Sequence, residues 1–256
     1  MKKHILVIAL GLFTTGIASA QAQEYKLNKN SGTLEIREVN HVTIEGISGN
    51  EIIFSSRNDD RENDDRAKGL RAISSMGLED NTGIGLSVVD KGNVIEVRQL
   101  KKMDGPDIKI QVPKNVVVSY YHTSPHGDEI DFKNFDGGIE VSTVHSGVIL
   151  TNTTGQLNIK TVHGDIDGTF ETAPKSPINI ESVHGHVDLA LPVATKANLK
   201  LSTHFGEILV DPDFKIQIDK TGDMVRYNDN VSGKINGGGI EIDLSATHNN
   251  VYLRKK

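Results

Sequence analysis

The chain contains no cysteine and no tryptophan. Without cysteine there is no disulfide, no thiolate metal site and no lipidated Cys at the end of a leader, so stability must come from burial and backbone hydrogen bonds. A surplus of basic charge is missing as well: 28 Lys and Arg stand against 34 Asp and Glu, a net charge of −6. Nucleic acid and anionic membrane are poor partners for such a surface, because both reward a basic face. No apolar stretch reaches the ~20 residues of a membrane-spanning helix. The Gly-x-Ser-x-Gly nucleophile turn, the phosphate-binding glycine loop and the dinucleotide fingerprint are all absent.

What is present first is a leader. Lys2 and Lys3 precede the apolar residues 5–13, and Ala18, Ser19 and Ala20 follow in the pattern of a signal-peptidase site, with Ala20, Gln21 and Ala22 as a second possibility. Residues 1–22 are therefore predicted to be a cleaved signal peptide and the mature chain to be exported, to the periplasm or the cell surface. The chain runs only three residues beyond Leu253, so no appended anchor or sorting domain is expected.

Residues 23–113 read as a strand-rich N-terminal part. Leu34 and Ile36, Val42 and Ile44, Ile52 and Phe54, Leu86 and Val88, and Ile95 and Val97 alternate with their neighbours at period two, and helical periodicity is scarce. Asp90, Lys91, Gly92 and Asn93 form a hairpin signal between the last two pairs. Residues 57–69 break the pattern with five acids and four bases and no apolar period, the composition of a solvated loop. Asp59, Asp60, Glu62, Asp64 and Asp65 suggest calcium, yet lack the glycine turn and terminal Glu of an EF-hand loop.

Residues 114–256 carry a repeat. Ile139, Val141, Thr143, His145 and Val148 are followed at the same internal spacing by Leu157, Ile159, Thr161, His163 and Ile166, and by Ile178, Ile180, Ser182, His184 and Val187. Leu199, Leu201, Thr203, Phe205 and Ile208 continue it, and Ile242, Leu244, Ala246, His248 and Val251 end it. The closing positions Val148, Ile166, Val187 and Ile208 lie 18, 21 and 21 residues apart, and the 43 from Ile208 to Val251 leave room for two units, the first degenerate around Ile216 and Ile218. A unit of ~20 residues with one apolar face cannot be buried alone, so the pattern predicts an all-β solenoid whose coils stack and share a core. The apolar residues and the small Ser, Thr or Ala should point inward, with glycine at the corner in a positive-φ conformation.

The chain resembles the bacterial domain of unknown function numbered 4097, a β-strand-repeat family often labelled adhesins. The likeness lies in the corner residues Thr161 through Ile166, in Val187 through Pro192, in Asn236 through Leu244 and in Val251 through Arg254. Gly69 through Ile73 and Asn81 through Leu86 extend it over nearly all of the mature chain. The resemblance implies no catalytic residues to carry over.

Three sites stand out from the residues themselves. His145, His163 and His184 occupy one corner of successive coils, so coil stacking at ~4.8 Å would set their rings in a ladder. Phe205, at that position of the next unit, suggests that ring stacking is what the corner wants; proton sensing and metal binding are the functional alternatives. His184, His186 and Asp188 echo a zinc motif that lacks its next histidine. Asp165, Asp167 and Asp188, on outward strand positions, are the carboxylates a carbohydrate-active enzyme on a β-helix would use.

The expectation is an exported, non-catalytic β-solenoid of the cell envelope. It would need no cofactor and no metal, and its partner would be an envelope polymer, glycan or protein. A carbohydrate-active enzyme, or a metal- or pH-responsive envelope factor built on the histidine ladder, is the alternative.

Overall fold

The computed structural model describes residues 24–56, 66, 69–103, 105–219 and 230–256. The leader 1–22 and the five acids proposed for calcium lie outside them. The described chain is all strand, arranged as two long sheets facing each other across one continuous core. It is a flattened β-solenoid and not a closed barrel.

Eight rungs make the body, each contributing one strand to a front sheet and the next strand to a back sheet. In spatial order the front strands are β6 (Val94–Gln99), β2 (Gly32–Arg37), β8 (Val116–His122), β10 (Ile139–Thr143), β12 (Leu157–Thr161), β14 (Ile178–Ser182), β20 (Ile240–Ala246) and β16 (Ala197–Thr203). Their back partners are β7 (Asp107–Pro113), β3 (His41–Ile47), β9 (Ile130–Lys133), β11 (Val148–Thr151), β13 (Ile166–Thr169), β15 (Val187–Leu191), β21 (Val251–Lys255) and β17 (Ile208–Val210). Neighbouring rungs pair in parallel throughout. Strands from both sides of residue 113 share both sheets.

The repeat frame sets the register. Ile139 pairs with Leu157, Leu157 with Ile178, and Ile178 with Ile242, so like residues fall on like. Ile159, Ile180, Leu244 and Leu201 form a second inward row, all but removed from solvent. A Leu or Ile side chain buried in this way stabilises by roughly 1.5–3 kcal/mol, and each rung supplies several. The small residues Thr143, Thr161, Ser182, Ala246 and Thr203 are buried beside them, as the alternation requires.

Two details differ from the sequence reading. The unit containing Phe205 does not follow the His184 rung in space: β20 lies between β14 and β16 and pairs in parallel with both. The described residues of the 43-residue interval form no extra rung; β18 (Gln217–Ile218) and β19 (Asn230–Ile235) instead pair antiparallel at the outer edge of the front sheet. A frame that repeats makes every rung a fit for every slot, so it cannot encode their order.

A further difference concerns the corner glycines. Gly164, Gly185 and Gly206 are absent from the positive-φ positions. A Cβ on any of them would sit 2.1 Å from a backbone carbonyl oxygen of the neighbouring rung. Close approach of stacked corners, not a left-handed turn, demands glycine there.

The N-terminal end mirrors the C-terminal one. The rung of β2 and β3 is inserted between the rungs of β6 with β7 and β8 with β9. Antiparallel strands close this end: β5 (Leu86–Asp90) on β6, and β4 (Glu51–Ser56) on β7 with β1 (Glu24–Asn28) outside it. Residues 91–93 join β5 to β6.

Candidate functional site

At the corner joining front strand to back strand, the hydroxyl that ends the front strand caps a turn. Thr143 Oγ1 donates to the Ser146 carbonyl and Thr161 Oγ1 to the Gly164 carbonyl, each at 2.6 Å, while Ser182 Oγ and Thr203 Oγ1 donate to the Gly164 and Asn249 carbonyls of the neighbouring rung. Two residues past that hydroxyl, the chain still keeps parallel register. His163 N–H donates to the Val144 carbonyl, His184 N–H to that of Val162 and His248 N–H to that of Val183, each at 2.8 Å. Phe205 N–H donates to the Thr247 carbonyl at 3.0 Å. Backbone bonds therefore hold one ring per rung in line.

The rings stack. Centroids of His145 and His163 are 5.3 Å apart, those of His163 and His184 4.8 Å, and those of His184 and His248 4.7 Å. Phe205 closes the row 4.7 Å from His248, with planes 4° apart, and His204 meets Phe205 edge-on. His145, His163 and His184 thus share one row, and the structure adds His248 between His184 and Phe205. The row is exposed along its length, Phe205 by 67%. His248 fits the repeat frame at the same position, which is the signal that places it; its rung number is not in the sequence.

Chemically, such a row is a ridge of ring edges at one-rung spacing. Each neutral imidazole offers one donor and one acceptor, and contact between neighbouring rings adds to the stability of the corner.

Behind the ridge lies a polar group that the repeat frame does not single out. His122 takes the buried place that Thr143 holds one rung on, and is fully removed from solvent. Its Nε2 is 3.1 Å from Asn40 Oδ1 and its Nδ1 3.3 Å from Ser146 Oγ. Asn40 Nδ2 donates to the Lys102 carbonyl, which fixes the amide with its oxygen toward the ring. The neutral Nε2–H tautomer satisfies both contacts. Burial pushes the His122 pKa below the ordinary value; Glu38, 3.9 Å away, opposes this, while His145 and His41 reinforce it. Tyr120 stacks beside it, its phenol donating to the Val39 carbonyl. Beneath a tight corner, this Ser, His and Asn set is closed to substrate.

The motif of His184, His186 and Asp188 does not converge. His184 lies in the ring row, His186 bridges Asp165 and Asp167 at 3.0 and 3.1 Å, and Asp188 is held by Arg254 at 2.7 Å. Asp167 and Asp188 sit side by side on adjacent rungs, whereas Asp165 belongs to the corner before β13 rather than to a strand. Glu129 faces this cluster, and burial first, then Asp128, Asp167, Asp131 and Asp165, raise its pKa. Among the described residues no group of three or more His, Asp or Glu side chains is placed to hold a metal ion. None of their helices is long and apolar enough to cross a membrane.

Two solved structures are similar in outline. A "putative cell adhesion protein" from Clostridium sporogenes shares 14% identity over 92% of this chain and all of its own, with a TM-score of 0.45. A "putative adhesin" from Bacteroides fragilis shares 9% identity over 93% of this chain and 98% of its own, with a TM-score of 0.38. No curated protein matches. A family model, Toastrack DUF4097, matches residues 14–254, and the chain belongs to that family.

Proposed function

We propose that the mature chain, freed of residues 1–22, works outside the cytoplasm as a non-catalytic binding or scaffolding module of the bacterial cell envelope, adhesin-like in role. The observation that carries this reading is the exposed row from His145 to Phe205, one ring per rung over five rungs. A rigid ridge of like groups at a fixed interval suits an extended partner that meets several of them at once, and linked weak contacts add up steeply. The neighbouring carboxylates support the non-catalytic part: Asp167 is tied to His186 and Asp188 to Arg254, so this pair is engaged in surface contacts.

The test is retention on isolated envelopes. The parent protein should be recovered in processed form outside the cytoplasm and should sediment with envelope preparations. Replacing His145, His163, His184, His248 and Phe205 together by Ala should release it while its circular dichroism stays unchanged. Undiminished retention of that variant would overturn the reading.

A further inference from the structure

The outward face of the front sheet is knit by ion pairs on either side of its middle. Arg98 meets Glu96 and Arg37 meets Glu35 on one side; Lys160 meets Glu181 and Lys200 meets Asp243 on the other. Between them the rung of β10 presents Glu140 and Ser142, whose side chains have no ion-pair or hydrogen-bond partner among the described residues. Here the surface dips into an open depression of about 270 Å³.

Register explains the dip. Tyr121, Ser142 and Lys160 are aligned on three successive rungs, so a short serine side chain stands between two long ones. The walls are two rung spacings apart, about 10 Å between strand axes, which leaves a slot about one sugar ring thick once side-chain radii are removed. Tyr121 is 41% exposed. The Arg37 guanidinium covers its ring from the rung on the other side, 5.6 Å from the centroid, so the uncovered face looks over Ser142.

Polar groups around the slot are complementary to a diol. Glu140 offers a carboxylate that accepts two hydroxyls. Asn158 already accepts from Asn179 Nδ2 through its Oδ1 at 3.2 Å, which leaves its own NH₂ to donate. The Lys160 ammonium at the far wall adds a second donor.

We propose that this slot binds one pyranose unit of a polysaccharide, the C–H face of the sugar on the open face of Tyr121 and a vicinal diol on Glu140 and Asn158. The proposal rests on the binding-module reading and adds a ligand class at a surface separate from the ring row.

Saturation-transfer NMR tests it, with the parent protein and four soluble tetrasaccharides: β-1,4-linked glucose, β-1,4-linked N-acetylglucosamine, β-1,4-linked mannose and α-1,4-linked glucose. At least one should receive saturation from the aromatic protons. Titration of that sugar should show binding weakened about tenfold or more by Tyr121→Ala, the loss of one well-placed aromatic contact, and nearly intact in Tyr121→Phe. Glu140→Gln, which changes an exposed group and leaves the core alone, should also weaken it and decides the matter if Tyr121→Ala folds poorly. His163→Ala with His184→Ala should bind as the parent does. Failure of all four sugars to bind, or binding indifferent to both Tyr121→Ala and Glu140→Gln, overturns the slot. Binding lost only in the double histidine variant also overturns it, yet leaves the module reading standing, whereas release from envelopes tests that reading alone.

Discussion

From β8 to β15 the rungs stack in the order in which the chain makes them; at both ends they do not. In the middle, each rung touches the one before it and the one after it in sequence, and the repeat frame alone accounts for the pairing. At the C-terminal end the rung of β20 and β21 fills the slot between β14 with β15 and β16 with β17, and at the N-terminal end β2 and β3 are inserted in the same way. A plain stack would leave its first and last rungs as open templates for further strands. Here antiparallel strands close most of the edges, and the rungs nearest the termini are flanked on both sides.

The comparison is broken most severely by removing the inserted rung. A chain ending at residue 239 should show no cooperative unfolding transition, because β14 and β16 would both lose their shared neighbour. In an ordinary stack, cutting a last rung costs only one interface. A truncated chain that melts as the parent does would show that β20 does not lie between them.

Next in size is a charge in the central core. Ile180 is 1% exposed, between Ile159 and Leu244. Ile180→Asp buries an unpaired carboxylate and should cost more than about 4 kcal/mol, enough to abolish soluble folded protein. Asp188→Asn, at a partly exposed ion pair with Arg254, should change stability by at most about 1 kcal/mol in urea denaturation. Equal effects of the two would place the inward face wrongly.

A smaller effect separates the buried His122 from the exposed ring row one corner away. Burial depresses its folded-state pKa, so the unfolded chain, with histidine near pH ~6.5, binds more protons in mildly acid solution. Stability is then full above about pH 7 and falls as the pH drops below it. The urea midpoint of the parent should decline between about pH 7 and 5, and His122→Gln should flatten part of that decline. Identical profiles would mean that His122 does not remain neutral in the fold.

The smallest expected change is in the row itself. His163→Ala should cost about 0.5–1.5 kcal/mol in urea denaturation by removing ring contacts on both sides, while His163→Phe should be close to neutral. Equal losses in the two variants would show that the corner needs an imidazole rather than a ring.

The sequence made much of the middle legible because there one pattern determines everything: alternation sets the inward face, and the recurrence of Thr143, Thr161 and Ser182 two residues before His145, His163 and His184 sets the corner. The strands and the hairpin turn of the N-terminal part were visible for the same reason. Rung order at the ends was not, since Phe205 and His248 satisfy the same frame and only pairing partners tell them apart. The corner glycines were legible as glycines but not in their cause, which lies in the carbonyl of another rung. His122 and the slot at Tyr121 escaped because both depend on what stands on the rungs beside them: Thr143, Ser146 and Asn40 in the first case, Arg37, Ser142 and Lys160 in the second. A cross-rung neighbour can be 82 residues distant, as Asn40 is from His122.

The two interlaced ends act as clasps around a body of interchangeable units. A whole unit of ~20 residues inserted between β13 and β14 would meet the same parallel edge on either side and leave both clasps untouched. The length of the solenoid is thereby a parameter that duplication or loss of a rung can adjust in steps of ~4.8 Å. Each step would lengthen the row along the corner by one side chain, so the reach of the molecule and the number of groups it presents are coupled in its design.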